Sequence, residues 1–197
     1  MEGFRLLGIP GSIREGSYNR KVLEYVGELL PVGCSYEIFD GISQIPFYDQ
    51  SYEDNLPEIV VALRNAVRQA DGLIVSTPEH NASIPAALKN ALEWLSRPVG
   101  DGPIERKPVA ILGAAPGLYG TIRSQMHLRQ ILHSTGAFVV QKPEVYINQV
   151  ATKFDEQGVL NDELAVTLLT GMIAELEKLI LQHRNLNEGL SKDDSAA

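Results

Sequence analysis

The feature that most constrains this chain is an alternation met three times: an apolar strand run, a loop of small, polar and proline residues, then a run with helical spacing. The first strand candidate carries Phe4, Leu6, Leu7 and Ile9, and its loop reads GIPGSIREGSYNR from Gly8 to Arg20. Val22, Leu23, Val26, Leu29 and Leu30 then recur at helical spacing until Pro31-Val32-Gly33 stops the run. The second unit runs from Leu73-Ile74-Val75 through TPEHNASIPAALKNALEWLSRP, Thr77 to Pro98, with Leu88, Leu92 and Leu95 along one helical face. The third runs from Val109-Ala110-Ile111-Leu112 through a loop of three glycines, Gly113 to Thr121, into a helix over Ile122 to Ser134. Strands this apolar are buried on both faces, and helices between them require right-handed crossovers and a mainly parallel sheet.

Two shorter strand candidates, Ser35 to Phe39 and Ala137 to Val140 with Pro143 to Ile147 as an extension, bring the count to five. The expected fold is α/β: a flavodoxin-like three-layer sandwich with a five-stranded parallel sheet in the order 2-1-3-4-5. In that order strands one, three and four are neighbours, so their three loops meet in one pocket at the carboxyl edge. The turn-rich segment Asp40 to Asn55 is expected to pack over an edge. Pro57 suits the first turn of a second helix, with Ile59, Leu63, Ala66, Val67 and Ala70 on one face. A last helix from Asn161-Asp162 shows Leu164, Leu168, Met172, Leu176 and Leu179 in register. A chain of 197 residues, 44% hydrophobic, fits one domain, expected over 1–183, with 184–197 as a disordered tail.

The first loop fits an anion, because a strand feeding a helix N-terminus brings free backbone N–H groups and the positive helix end together. It is no Walker loop, since Ser17 stands where Lys would be needed. It is no dinucleotide loop either, since Gly8, Gly11 and Gly16 are spaced three and five apart. Ser12, Arg14, Ser17 and Asn19 supply hydroxyl, guanidinium and amide donors suited to one terminal phosphate, as in a mononucleotide. The same residues also serve as an ordinary capped turn.

A formal net charge of −8 argues against a nucleic-acid or anionic-membrane surface, so an anion site must be local. The single cysteine, Cys34, makes no internal disulfide and reads as a small buried filler; with no leader or long apolar span, a cytoplasmic setting is expected. His127 and His133 are six apart, off the helical metal spacing, and read as surface or interface residues, so no metal is expected. Trp94 reads as a packing aromatic.

The segments GSIREGSYNR, TPEHNASIPAALKNALEWLSRP and GAAPGLYGTIRSQMHLRQIL, present in this order, together resemble the NADPH-dependent FMN reductase family, which includes NAD(P)H quinone reductases and chromate reductases. The likeness covers about Phe4 to Leu181. It implies non-covalent FMN, NADPH or NADH as donor, a small electrophilic acceptor, and dimers or tetramers with flavin sites near a subunit interface. By the same likeness Ser12, Arg14, Ser17 and Asn19 hold the phosphate, and Tyr18 is a further cofactor-binding residue. Pro78, Glu79, His80 and Asn81 follow the isoalloxazine edge, and Gly117, Leu118, Tyr119 and Gly120 lie on its other side. His80 stands where the family commonly has Tyr, which bears on stacking and substrate choice. Hydride transfer at the flavin needs no protein nucleophile, so no catalytic residue is expected, and donor and acceptor taking turns over one face imply ping-pong kinetics. A flavodoxin-like carrier and a flavin-binding sensor are the alternatives. For the extra phosphate of NADPH, Arg14, Arg20, Arg97 and Arg106 are the candidates.

Overall fold

The computed structural model describes residues 3–193, and for 187–193 the backbone only. Strands β1 (Arg5–Pro10), β2 (Ser35–Ile38), β3 (Gly72–Ser76), β4 (Pro108–Ala114) and β5 (Phe138–Val139) form a parallel sheet in the order β2-β1-β3-β4-β5. A sixth strand, β6 (Val145–Ile147), also pairs with β4. β5 faces Pro108 and Val109, whereas β6 faces Leu112 to Ala114, so the two are halves of one edge position interrupted at 140–144.

Five helices cover the sheet: α1 (Tyr18–Leu29), α2 (Glu58–Gln69), α3 (Ala86–Leu95), α4 (Ile122–Ser134) and α5 (Glu163–Asp193). Side chains alternate across each strand, and the two faces build separate cores. Leu7, Ile9, Leu73, Val75, Val109 and Ile111 pack with α2, α3 and α4. Leu6, Ile74, Ala110 and Leu112 pack with α1 and α5. This is the expected flavodoxin-like sandwich.

Details differ from the reading by pattern. In α5 the buried stripe is Ala165, Leu169, Met172, Ile173, Leu176 and Ile180, while Leu164 is exposed. A row of residues four apart advances about 40° per step around a helix, so the leucine row drifts off the core face. The helix continues to Asp193, past the expected boundary at 183, and 194–197 lie outside the described residues. Segment 40–55 packs across α3 rather than along an edge. There the Pro46 carbonyl accepts from Trp94 Nε1 at 2.8 Å and Asn90 Nδ2 at 2.9 Å, and Tyr48 meets the Trp94 ring edge-on. Trp94 is fully buried, as a packing aromatic should be, but Cys34 is only half-buried because it lies in the turn before β2.

Candidate functional site

The β1–α1 loop is pinned at its start. Gly11 N–H donates to the Ser76 carbonyl at 2.7 Å, and a Cβ at Gly11 would come within 2.8 Å of that same oxygen. Glycine is therefore required for the loop to lie against β3. Farther along, Arg14 N–H donates to Ser12 Oγ at 3.3 Å, and the Arg14 guanidinium folds back onto the Glu15 and Gly16 carbonyls at 3.4 and 3.3 Å. Such long, exposed bonds yield readily to a charged acceptor. The chain enters α1 through Ser17, which is buried yet forms no side-chain cap. The first helical bond runs from Lys21 N–H to the Ser17 carbonyl, so the amides of Tyr18, Asn19 and Arg20 are first-turn donors without a helical acceptor. The Tyr18 ring leans on Phe154 at 5.8 Å.

Asn19 is different from its sequence reading. Its Oδ1 accepts from Ala114 N–H and Ser76 Oγ, both at 2.9 Å, and its Nδ2 donates to the Ala114 carbonyl at 2.9 Å. The side chain clamps the carboxyl ends of β3 and β4 to α1; what Asn19 offers a ligand is its backbone N–H.

The β3–α3 loop is held just as firmly. Thr77 Oγ1 and Ser124 Oγ lie 2.9 Å apart, and each donates toward the Pro78 carbonyl at 2.9 and 2.8 Å. The Glu79 carboxylate turns away from the loop to the start of α4. There it accepts from Arg123 N–H at 3.1 Å, Arg123 Nε at 2.7 Å and Ser124 N–H at 3.3 Å. Thr121, the residue before α4, makes no cap of its own, so Glu79 caps that helix from another loop and complements its dipole. Beyond it, His80 and Ser83 exchange backbone bonds of 3.0 and 2.9 Å around Asn81 and Ala82, whose φ angles are 49° and 63°. Two left-handed residues make a type I′ turn, and Ala82 carries backbone strain there. Strain of this kind collects where a loop's shape matters to function.

In the β4–α4 loop, a Cβ at Gly113 would fall 1.9 Å from Thr121 Oγ1 and 2.5 Å from the Thr77 carbonyl, so the loops interlock there. Asn148 Nδ2 and Gln149 N–H anchor the tip through the Leu118 and Gly117 carbonyls at 3.0 and 3.1 Å. Leu118 and Tyr119 themselves stand 66% and 74% exposed.

These loops enclose a cavity of about 570 Å³. One end holds Ser12, Arg14, Ser17 and the first turn of α1; the other is walled by Pro78, Glu79, His80, Pro85 and Ala86, with Ala114 to Pro116 opposite. Of the residues expected from the sequence, Ser12, Arg14, Ser17, Tyr18, Asn19, Pro78, Glu79 and His80 line it. Asn81 lines a neighbouring cavity instead. Gly117, Leu118, Tyr119 and Gly120 do not line it, because the loop tip is drawn toward β6 and the cavity wall is the earlier part, Ala114 to Pro116. Gly11, Ile13, Pro85, Ala86 and Ala87 also belong to it. Their small or apolar character carries no chemical signal in the sequence; only adjacency of the three strands reveals them. A wider groove of about 800 Å³ between α5 and 139–143 lies away from these loops, and its Lys142 and Lys178 are paired with Glu144 and Glu175. Among the described residues no group of three or more His, Cys, Asp or Glu could hold a metal ion, and no helix is long and apolar enough to cross a membrane.

The donors at one end match a phosphate: two hydroxyls, a guanidinium and unpaired helix N-terminal amides. The small apolar residues at the other, Pro78, Pro85, Ala86 and Ala114 to Pro116, leave room for a flat ring. Fold and cavity together define a flavodoxin-like protein with a cavity at the carboxyl edge of its sheet. Comparison with known proteins narrows this class. The model of the NADPH-dependent FMN reductase family matches residues 4–152. An NAD(P)H-dependent FMN reductase of Pseudomonas aeruginosa is 42% identical over 177 residues, 89% of this chain and 95% of that protein. A quinone reductase of Escherichia coli is 37% identical over 182 residues, 91% and 96% of the two chains. Among solved structures, the flavoenzyme NAD(P)H:acceptor oxidoreductase FerB of Paracoccus denitrificans superimposes with a TM-score of 0.83 at 28% identity, covering 91% of this chain and 98% of its own. The chain belongs to the NADPH-dependent FMN reductase family, quinone reductase type.

Proposed function

We propose that the protein holds FMN non-covalently in the 570 Å³ cavity and, with NADPH or NADH as donor, reduces quinones, with free flavin, azo compounds or chromate as further acceptors. The observation that carries this reading is the division of the cavity between an uncapped helix start and a small-walled slot. Ser12, Arg14, Ser17 and the first-turn amides of α1 would grip the phosphate, and Pro78 to His80 and Ala114 to Pro116 would flank the ring. When bound, FMN supplies the chemistry of hydride acceptance and two-electron donation. The chain's part is to position and polarise: the backbone N–H groups of Glu79 and Asn81 would face the ring edge, where negative charge develops on reduction, since Pro78 has no N–H and that of His80 is donated to the Ser83 carbonyl.

No side chain is assigned a catalytic proton transfer. Donor and acceptor would alternate over the same exposed flavin face, which gives parallel double-reciprocal lines; intersecting lines with a trapped ternary complex would count against this. Exposed Leu118, Tyr119, Ile122 and Met126, running from the third loop onto α4, support a homodimer or homotetramer. The setting is cytoplasmic, and neither nucleic acid nor membrane is a partner.

The test is a visible spectrum of protein with added FMN, reduced anaerobically with NADPH and reoxidised with a quinone. Bleaching followed by recovery supports the reading. FMN that binds without bleaching points to a carrier or sensor, and no flavin binding overturns the site. In Arg14→Ala with Ser17→Ala, FMN binding weakens about 100-fold while far-UV dichroism and Tm stay close to wild type, since charge-assisted phosphate contacts are removed and no buried partner is orphaned.

A further inference from the structure

A dinucleotide donor carries a diphosphate, and NADPH a further phosphomonoester, so cations are needed within reach of the flavin slot. The arginines suggested by sequence do not supply them. Arg20 is shared between two carboxylates, Glu24 at 3.0 Å and Asp40, and lines a recess with Asp40, Ile42 and Ser43 that does not include His80. Arg97 lies over the Tyr48 ring and 3.8 Å from Glu53. Arg106 precedes β4, at the opposite end of the sheet from the loops. Arg14 belongs to the FMN phosphate on the reading above.

A second cavity of about 620 Å³ adjoins the first and shares His80 and Ala86 with it. It opens between α3 and α4, and its polar lining is Asn81, Ser83, Lys89, His127 and Gln130 besides His80, with no carboxylate among the lining residues. His127 Nδ1 lies 3.0 Å from Ser83 Oγ, which fixes the ring and leaves Nε2 for a ligand. Lys89 is paired with Glu93 at 2.5 Å, but both side chains are over 40% exposed, and an exposed pair of this kind is weak enough for the ammonium to turn toward a phosphate. Ile84 and Ile131 supply apolar wall. We propose that this second cavity receives the diphosphate-bearing part of the nicotinamide dinucleotide, with Lys89 and His127 as its phosphate ligands. The inference rests on the reductase reading: His80 marks the passage between the two cavities, so nicotinamide reaches the flavin slot while its phosphates stay over α3 and α4.

The experiment compares wild type with Lys89→Gln plus His127→Gln in two measurements. In the first, flavin-free protein is titrated with NADP+ by calorimetry. Loss of two phosphate donors is expected to raise Kd about tenfold or more, and a change within about twofold overturns the assignment. In the second, FMN-loaded protein is reduced anaerobically by 1-benzyl-1,4-dihydronicotinamide, which lacks phosphates. Its rate is expected to stay within about twofold of wild type while NADPH needs about tenfold higher concentration. Equal slowing with both donors overturns the phosphate role. Failure of the reductase reading itself looks different: neither donor bleaches the wild-type flavin.

Discussion

The two ends of the sheet use polar residues in opposite ways. At the carboxyl end Asn19, Ser76, Thr77 and Ser124 are buried and Glu79 half-buried, all satisfied by one another or by the backbone, and the donors left over face a cavity. At the amino end, charged groups close on themselves. Asp71 accepts from Arg5 N–H at 2.8 Å and from Arg184 at 2.9 Å, Arg5 reaches Gln69 at 3.1 Å, and Lys107 Nζ donates to the Ala70 carbonyl at the end of α2 at 2.6 Å. The lesson is that polar content does not mark the site; buried polar groups that hold backbone while leaving donors uncapped do.

Asn19→Ala should break the comparison hardest. It leaves the Ala114 amide and carbonyl and the Ser76 hydroxyl without their buried partner, so a loss of about 2–4 kcal/mol is expected. That corresponds to a fall in Tm of roughly 5–15 °C for a domain of this size. FMN affinity should fall with it, because the clamp sets the distance between the first and third loops. Calorimetric melting with and without FMN measures both, and a Tm within about 1 °C of wild type would remove the clamp from the argument.

Much of this was legible in the sequence. The strand runs, helix spacing and loop positions follow from periodicity, and strand order then brings the three loops together. Ser12, Arg14 and Ser17 carry donor types that suit a phosphate but serve an ordinary capped turn equally well, and only strand adjacency brings them to one cavity. Asn19 and Glu79 were read as ligands although their side chains face structure, because a buried amide and a binding amide have the same sequence. Leu118 and Tyr119 were placed at the ring, but the pull of Asn148 and Gln149 on the loop tip comes from contacts 30 or more positions away, which local pattern cannot carry. The second cavity was invisible for the same reason: Lys89 and His127 sit on different helices.

Glu79→Gln probes the cap that reaches from one loop to another. A neutral amide loses the charge-assisted bonds to Arg123 and the attraction to the start of α4, for about 1–2 kcal/mol, and its NH2 leaves either the Arg123 guanidinium or the Arg123 and Ser124 N–H donors without an acceptor. Since Glu79 fixes the backbone proposed to flank the ring, FMN binding should weaken about tenfold, less than on removal of the phosphate contacts. Equal Kd values for FMN in Glu79→Gln and wild type would show that the turn at 80–83 holds its shape without the cap.

The smallest effects belong to the amino end and test whether it is silent toward the site. Arg184→Ala removes a partly exposed ion pair and should cost less than about 1 kcal/mol, with FMN affinity unchanged. His183, edge-on to Phe138 at 5.7 Å, gives a finer test. Burial, and then the nearby Lys107 and Arg106 cations, hold its pKa below the ordinary value of 6.5. Between that lowered value and 6.5 the unfolded chain binds a proton that the folded chain does not, so stability falls as pH drops through this window and the penalty vanishes above it. Wild type should therefore lose more Tm between pH 7.5 and pH 5.5 (about 7.5 and 5.5 bracket the imidazole range) than His183→Gln does, while FMN Kd in the two proteins follows the same pH course. Identical losses of Tm would mean that the imidazole is not strained by its cations. A divergence in FMN Kd would mean that the two ends of the sheet communicate, against the separation on which the comparison stands.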